Sequence, residues 1–353
     1  MPSFHAAALA RLATAIFERC GAPADIAAGV AEHLVASNLA GHDSHGVLRI
    51  QQYVEMIDQH LVKPDGRMRL VERFAAGAVV DGDRGFGQVV ARDAMNLAIE
   101  IARASGTGAV TVRNCCHTGR LGTYTELAAA AGLVGIVAVN AGGGGQLVAP
   151  FGGTARRIST NPISIAAPSE AGDSVVLDIA TSVAPEGKVR ALLQAGKRLP
   201  EGWLNDARGN PTTDPAELYA DPPATLLPLG GPFGHKGFGL AFMIDILAGI
   251  LTGAGYCRPG ATYTGDGLLA IALDVAHFTP LEDFRRRVAE LAAYVKACPT
   301  APGVERIYVP GEIELVHRTE RHRTGIPIEQ GTWDRIEQIC RRFGIDPTAA
   351  MKA

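Results

Sequence analysis

Apolar residues recur through the first forty positions with the period of an amphipathic helix. Leu9, Leu12, Ile16 and Phe17 fall on one face of 5–19, and Pro23 opens a second helix in which Ile26, Val30 and Leu34 recur at every fourth position. A short strand-like run at 78–80 leads into the turn Asp81-Gly82-Asp83-Arg84-Gly85-Phe86-Gly87, and a third helix places Val90, Ala94, Leu97 and Ile101 in register. From about Thr107 the texture changes. Short β-branched runs bounded by Gly and Pro, at 109–112, 134–139, 163–167, 175–179 and 268–273, predict the strands of a sheet. The stretch 194–234 is rich in Pro, Gly, Asp and Leu without a sustained period and reads as an irregular covering loop, of a length that usually serves function. Two more amphipathic helices close the chain, 281–297 (Phe284, Val288, Leu291, Val295) and 332–343 (Trp333, Ile336, Cys340). The pattern predicts an α/β protein with a discontinuous helical domain, 1–106 plus 280–353, beside a central α/β domain, 107–279.

Composition narrows the classes. The 353 residues are 47% hydrophobic and 20% charged, ordinary for a well-buried globular protein. A net charge of −3 supplies no electrostatic reason for nucleic acid or an anionic membrane as partner, so a small molecule is expected. Six cysteines without a C-x-x-C pair fit free thiols in a reducing cytoplasm. The N-terminal stretch carries His5, Arg11 and Glu18 where a secretory signal would be apolar, and the longest apolar run, 240–251, is interrupted by Asp245 and too short to span a bilayer.

The candidate chemistry is concentrated in polar islands. The first, Gly41-His42-Asp43-Ser44-His45-Gly46-Val47-Leu48-Arg49, brings together an imidazole that titrates near neutral pH, a hydroxyl, and a guanidinium able to grip a carboxylate bidentately. Arg49 lies four residues after His45, so a continuous helix would aim both into one pocket. His42 and His45 could also be metal ligands, but no H-E-x-x-H or paired-cysteine spacing supplies the rest of a site, and no metal is expected. The second island, Asn114-Cys115-Cys116-His117-Thr118-Gly119-Arg120-Leu121-Gly122, lies between a strand and an alanine-rich helix. Its Gly119 to Gly122 segment is either an anion site at a helix N-terminus or a glycine turn carrying a surface arginine. A G-x-G-x-x-G opening a helix is absent, because Gly265-Asp266-Gly267-Leu268-Leu269-Ala270 precedes a strand, so a conventional Rossmann domain is disfavoured. Further islands stand at Arg157-Ile158-Ser159-Thr160-Asn161-Pro162, Asp178-Ile179-Ala180-Thr181-Ser182 and Gly234-His235-Lys236-Gly237-Phe238-Gly239.

As a set and in order, these segments, with Gly187-Lys188 and Pro310-Gly311-Glu312, resemble the malate/L-lactate dehydrogenase family of the non-Rossmann kind. The resemblance implies a homodimer, a mainly helical domain from both termini, and a mixed-sheet domain that binds NAD or NADP in a non-Rossmann manner. It implies that His45 and His117 face nicotinamide and substrate, that Arg49 clamps a carboxylate and that Ser44 orients an imidazole or substrate oxygen. Cofactor contacts would fall on His45, Gly119, Arg120, Leu121, Asp178, Ile179, Ala180, His235, Lys236, Gly311 and Glu312. Family members are described with either histidine as proton carrier; His117 is preferred here. The chain departs from the family pattern at Ser159, which stands before Thr-Asn-Pro in place of glycine, and at Gly142 to Gly145. The implied activity is interconversion of a 2-hydroxy acid and a 2-oxo acid. Reduction of a cyclic imino acid such as piperideine-2-carboxylate, or ligand binding without turnover, are the alternatives.

Overall fold

The computed structural model describes residues 1–170, 174–263 and 265–352. Its centre is a mixed seven-stranded sheet made of β1 (Arg69–Phe74), β2 (Gly77–Asp81), β3 (Thr107–Cys115), β4 (Leu133–Asn140), β5 (Ile163–Ala167), β6 (Val175–Ile179) and β7 (Asp266–Asp274), in the order β1-β2-β3-β7-β4-β5-β6. Only β2 and β3 run parallel; every other pair is antiparallel. All five β-branched runs named from the sequence are strands of this sheet. The strand β1 escapes the pattern because Arg69, Glu72 and Arg73 leave it without an apolar face, and all six of its residues are exposed.

Eleven α-helices surround the sheet among the described residues. In α1 (Ala6–Arg19), Leu9, Leu12, Ala13, Ile16 and Phe17 are buried at the predicted spacing, and Pro23 caps α2 (Ala24–Leu39). These helices share a core with Tyr53 and Val54 of α3 (Arg49–Asp58) and with Trp333, Ile336 and Cys340 of α10 (Gln330–Phe343). Full burial of side chains such as Ile16 and Phe17 contributes roughly 1.5–3 kcal/mol each. The chain ends are also joined by a two-stranded pairing of Ser3 and Phe4 with Pro327 and Ile326, and the Phe4 and Trp333 rings lie 4.2 Å apart. The helix α4 (Gly87–Ser105) packs elsewhere: its Val90, Ala94, Met95 and Ile101 belong to the sheet's core with Val110, Val112, Val137 and Leu268.

The segment 194–234 is not a loose cover. It forms a small three-stranded sheet, with Leu204–Asn205 flanked by Pro211–Thr212 and Thr225–Leu226, over its own core of Leu199, Leu204, Leu218 and Leu226. Two-residue strands are too short to show a period, and the hairpin is held by Asp206, whose Oδ1 accepts from the Arg208 and Asn210 amides at 2.8 Å each. The charged helix α9 (Glu312–Thr324) was equally invisible, having no buried residue.

Candidate active site

The first polar island folds as one 3-10 turn, Asp43–His45, between α2 and α3. Asn38, near the end of α2, holds it: Oδ1 accepts from the Val47 amide at 2.8 Å and Nδ2 donates to Asp43 Oδ1 at 2.6 Å. From the other side Arg321 of α9 donates to both Asp43 carboxylate oxygens, at 2.6 and 2.9 Å. The helix expected to run unbroken from His45 to Arg49 is interrupted at Gly46, and α3 begins at Arg49. The two side chains still meet around Ser44, whose carbonyl accepts from Arg49 Nε at 2.6 Å and whose hydroxyl lies 3.0 Å from His45 Nδ1. His42 turns away toward Glu314 at 3.1 Å and does not join His45. Among the described residues no three His, Cys, Asp or Glu side chains are arranged to hold a metal ion.

The strand β3 delivers His117 to the same place. Its ring lies parallel to that of His45, with centroids 5.6 Å apart and planes within 5°. Ser44 Oγ lies 3.0 Å from His45 Nδ1, and Tyr53 Oη lies 2.7 Å from His117 Nδ1. Gln88 of α4 in turn donates to Tyr53 Oη at 2.6 Å. Burial, and after it the positive charge of Arg49, hold both imidazoles well below the ordinary histidine range, so both rings are neutral at neutral pH. Arg49 donates through Nε to Ser44 O at 2.6 Å and through Nη1 to Gln52, and no carboxylate lies within ion-pair distance of it among the described residues. A half-buried cation without a counter-ion among the described residues, beside two neutral imidazoles, is a place that a small carboxylate would complete. Gly187, in the first turn of α6 (Glu186–Gln194), closes one side, where an added Cβ would come within 2.9 Å of Ser44 Cβ.

The second island corrects an expectation. Arg120 is not a surface residue but 2% exposed, paired through Nη2 with Glu126 at 2.8 Å and lying 3.7 Å from Asp178. Asp178 Oδ2 accepts from the Gly122 amide at 2.7 Å, so the start of α5 (Gly122–Ala130) already holds a carboxylate where a phosphate was one expectation. Burial pushes the Asp178 carboxyl upward, against the pull of Arg120. The Nε and Nη1 atoms of Arg120 have no hydrogen-bond partner among the described residues. The Arg120 amide donates to His33 Nε2 at 3.0 Å, and the left-handed φ of +73° at Gly119 lets the chain pass this ring. Leu121 is buried, Ile179 and Ala180 are half-buried at the end of β6, and the Val176 amide donates to Pro310 O at 3.0 Å, which brings Gly311 and Glu312 alongside. Glu312 pairs with Lys296 at 2.6 Å. His235 and Lys236 open α7 (His235–Ile244), exposed, against the rings of Phe151 and Phe233; the Leu229 amide donates to Thr181 O at 2.9 Å and ties the approach to α7 to the end of β6. Sequence reasoning missed Tyr53, Gln88 and His33. Tyr53 had a signal, since it lies one turn after Arg49 on the same helix face.

The chain matches a known family over most of its length. The sequence profile of the malate/L-lactate dehydrogenase family matches residues 4–337. The chain is 38% identical to malate dehydrogenase of Pyrococcus abyssi over 338 residues, covering 94% of this chain and 92% of that protein. It is 36% identical to hydroxycarboxylate dehydrogenase B of Escherichia coli over 346 residues, covering 97% and 94%. The solved structure of malate dehydrogenase from Pyrococcus horikoshii superposes with a TM-score of 0.89 at 34% identity, over 98% of this chain and 96% of that one.

Proposed function

This chain belongs to the malate/L-lactate dehydrogenase family and is an oxidoreductase of 2-hydroxy acid/2-oxo acid pairs, and we propose that it works with NADH or NADPH and that His117 moves the proton. The observation that carries this reading is the parallel His45–His117 pair beside Arg49, a half-buried guanidinium without a carboxylate partner among the described residues. Arg49 fixes the substrate carboxylate with two charge-assisted hydrogen bonds, and Ser44 orients the His45 ring. Tyr53 occupies His117 Nδ1, so Nε2 is the nitrogen free to face the reacting oxygen. In reduction, Nε2–H of the imidazolium is donated to the developing alkoxide; in oxidation, neutral Nε2 accepts the hydroxyl proton. A carboxylate on Arg49 offsets the like charge that disfavours the imidazolium, so substrate binding itself eases protonation of His117.

The bound nicotinamide dinucleotide supplies or accepts the hydride. Residues present fit such a group: buried Arg120, though paired with Glu126, keeps Nε and Nη1 without a hydrogen-bond partner among the described residues, and Gly119, Leu121, Asp178, Ile179, Ala180, Gly311 and Glu312 would supply the remaining contacts. His235 and Lys236 would extend the contact, and His45 would face the nicotinamide. The mixed sheet and the missing G-x-G-x-x-G support a non-Rossmann mode of binding. The exposed apolar residues of α7 and the turns after it support a homodimer, and the six free cysteines fit a reducing, cytoplasmic setting. No helix among the described residues is long and apolar enough to cross a membrane.

A panel of 2-oxo acids, their primary amides and piperideine-2-carboxylate, assayed with NADH and with NADPH, tests this reading. Turnover of the acids well above the amides is expected. Turnover of the cyclic imine alone would replace the 2-oxo acid by an imino acid as substrate.

A further inference from the structure

We propose that Gln88 is a positioning residue that decides which ring nitrogen of His117 carries a proton, by reversing the direction of the hydrogen bonds that run through Tyr53. The proposal rests on the reading of His117 as proton carrier and adds a control to it. Gln88 is 3% exposed, in the first turn of α4. That turn is seated on the chain at the end of β3, because a Cβ on Gly87 would lie 2.1 Å from Cys116 O and 2.4 Å from His117 O. Backbone packing therefore sets the span from Gln88 through Tyr53 to His117, whose two links measure 2.6 and 2.7 Å.

Tyr53 has one phenolic proton to place, and the chain can be satisfied in two ways. With Gln88 Nε2–H donating to Tyr53 Oη, the phenol donates to His117 Nδ1, and the neutral ring carries its proton on Nε2. That ring cannot accept a proton at Nε2, and losing one there would leave an imidazolate. With the amide turned over, Gln88 Oε1 accepts from Tyr53, whose oxygen accepts from His117 Nδ1–H. Nε2 then alternates between lone pair and N–H, as both directions of the reaction require. In the present arrangement Gln88 Oε1 has no hydrogen-bond partner among the described residues, so turning the amide breaks no bond to that atom. The phenol itself stays protonated, since burial drives its pKa far above the ordinary tyrosine value.

The charged and titratable groups around this chain come from every neighbouring element. Arg49 of α3 and His33 of α2 disfavour the imidazolium, and His45 faces the ring from the 3-10 turn. Cys116 and Asp266, the latter at the start of β7 with its carboxyl pushed up to about 7 by burial, act on Tyr53. Among the described residues, Tyr53 supplies the one hydrogen bond to the His117 ring, and it is made at Nδ1.

The test pairs Gln88→Glu, whose carboxylate accepts from Tyr53, with Gln88→Met, which leaves His117 Nδ1 as the acceptor for the phenol. The readouts are 15N NMR of His117 in the cofactor-free protein and the pH profile of kcat/KM. Gln88→Glu is expected to favour Nδ1–H and to raise the proton affinity of the ring about tenfold, one pKa unit. Gln88→Met is expected to favour Nε2–H, to lower that affinity, and to reduce kcat with little change in KM. Shifts of opposite sign are the signature, because a merely structural role would move both variants the same way. Shifts of the same sign, or none, overturn the proposal. If Gln88→Glu does not fold, Gln88→Met alone decides, since an Nδ1–H ring in that variant overturns it. NMR shifts as expected with an unchanged rate profile would uphold the hydrogen-bond control and remove His117 from the chemistry.

Discussion

At the scale of single residues, the structure turns several polar positions into quantities. In the proposed mechanism Arg49 grips the substrate carboxylate with a planar fork, so Arg49→Lys is expected not to behave as a conservative change. Losing a charge-assisted bond costs roughly 1.5–3 kcal/mol, and the expected result is a fall in kcat/KM of about ten- to a hundredfold for a 2-oxo acid. The preference for the acid over its amide should shrink with it. An unchanged acid-to-amide ratio would make Arg49 a structural residue. His33 makes a separate prediction about stability. Burial and Arg120 push its pKa down to about 3, whereas the unfolded chain takes the proton near the ordinary value of about 6.5. Between those values the unfolded state binds one proton more, so the contribution of neutral His33 is full above pH 6.5 and is lost as pH falls, by about 1.4 kcal/mol per unit. His45 and His117 act in the same direction and Asp266 in the opposite one, so the informative quantity is a difference. Thermal midpoints of His33→Gln should decline less than those of the unsubstituted protein between pH 6.5 and 4.5. Parallel curves would contradict the assignment.

Secondary-structure elements divide into those that declare themselves and those that do not. The helices α1, α2, α4 and α10 and six of the sheet's seven strands were legible because each presents an apolar face or run of the right period. The edge strand β1 and the helix α9 were not, because each takes its place through charges. In α9, Arg321 grips Asp43, Arg318 pairs with Glu126 and Glu314 bonds His42. Pairings between residues nearly 300 positions apart leave no mark on a local window. The helix α7 carries the opposite message, since Phe242 and Met243 are 54% and 50% exposed and Ile250 and Leu251 in the turns that follow are 54% and 60%. Such a face fits the proposed homodimer, whose interface would bury about 1,200–2,000 Å² in total. The double substitution Phe242→Glu, Met243→Glu is expected to convert a dimer to monomers by light scattering. A dimer of unchanged mass in that variant would place the interface elsewhere.

On the scale of the whole molecule, the α/β class and the polar islands could be read from the chain, while their assembly could not. His45 and His117 are 72 positions apart, and the sheet order that brings β3 beside the 3-10 turn is set by non-local pairing. The sheet's core also reaches across residue 106: Ala78, Val80, Val90, Ala94 and Ile101 pack with the strands, so β2 and α4 serve the sheet. Of the residues proposed to tune His117, Gln88 comes from α4, whose apolar face was its legible part, and Tyr53 from α3, which the apolar pattern did not predict. What joins these pieces is the claim that His117 carries the proton, and its pH signature follows from burial and Arg49, which hold the free ring below the ordinary histidine range. The most direct measurement is kcat/KM against pH, in both directions, for the unsubstituted protein, His117→Asn and His45→Asn. For reduction, which needs the imidazolium, the unsubstituted protein should be flat at low pH and fall about tenfold per unit above the depressed pKa, with oxidation as its mirror image. His117→Asn should abolish that limb and lower kcat by about two to four orders of magnitude. Near-normal turnover with an intact limb in His117→Asn, together with loss of both in His45→Asn, would contradict the account.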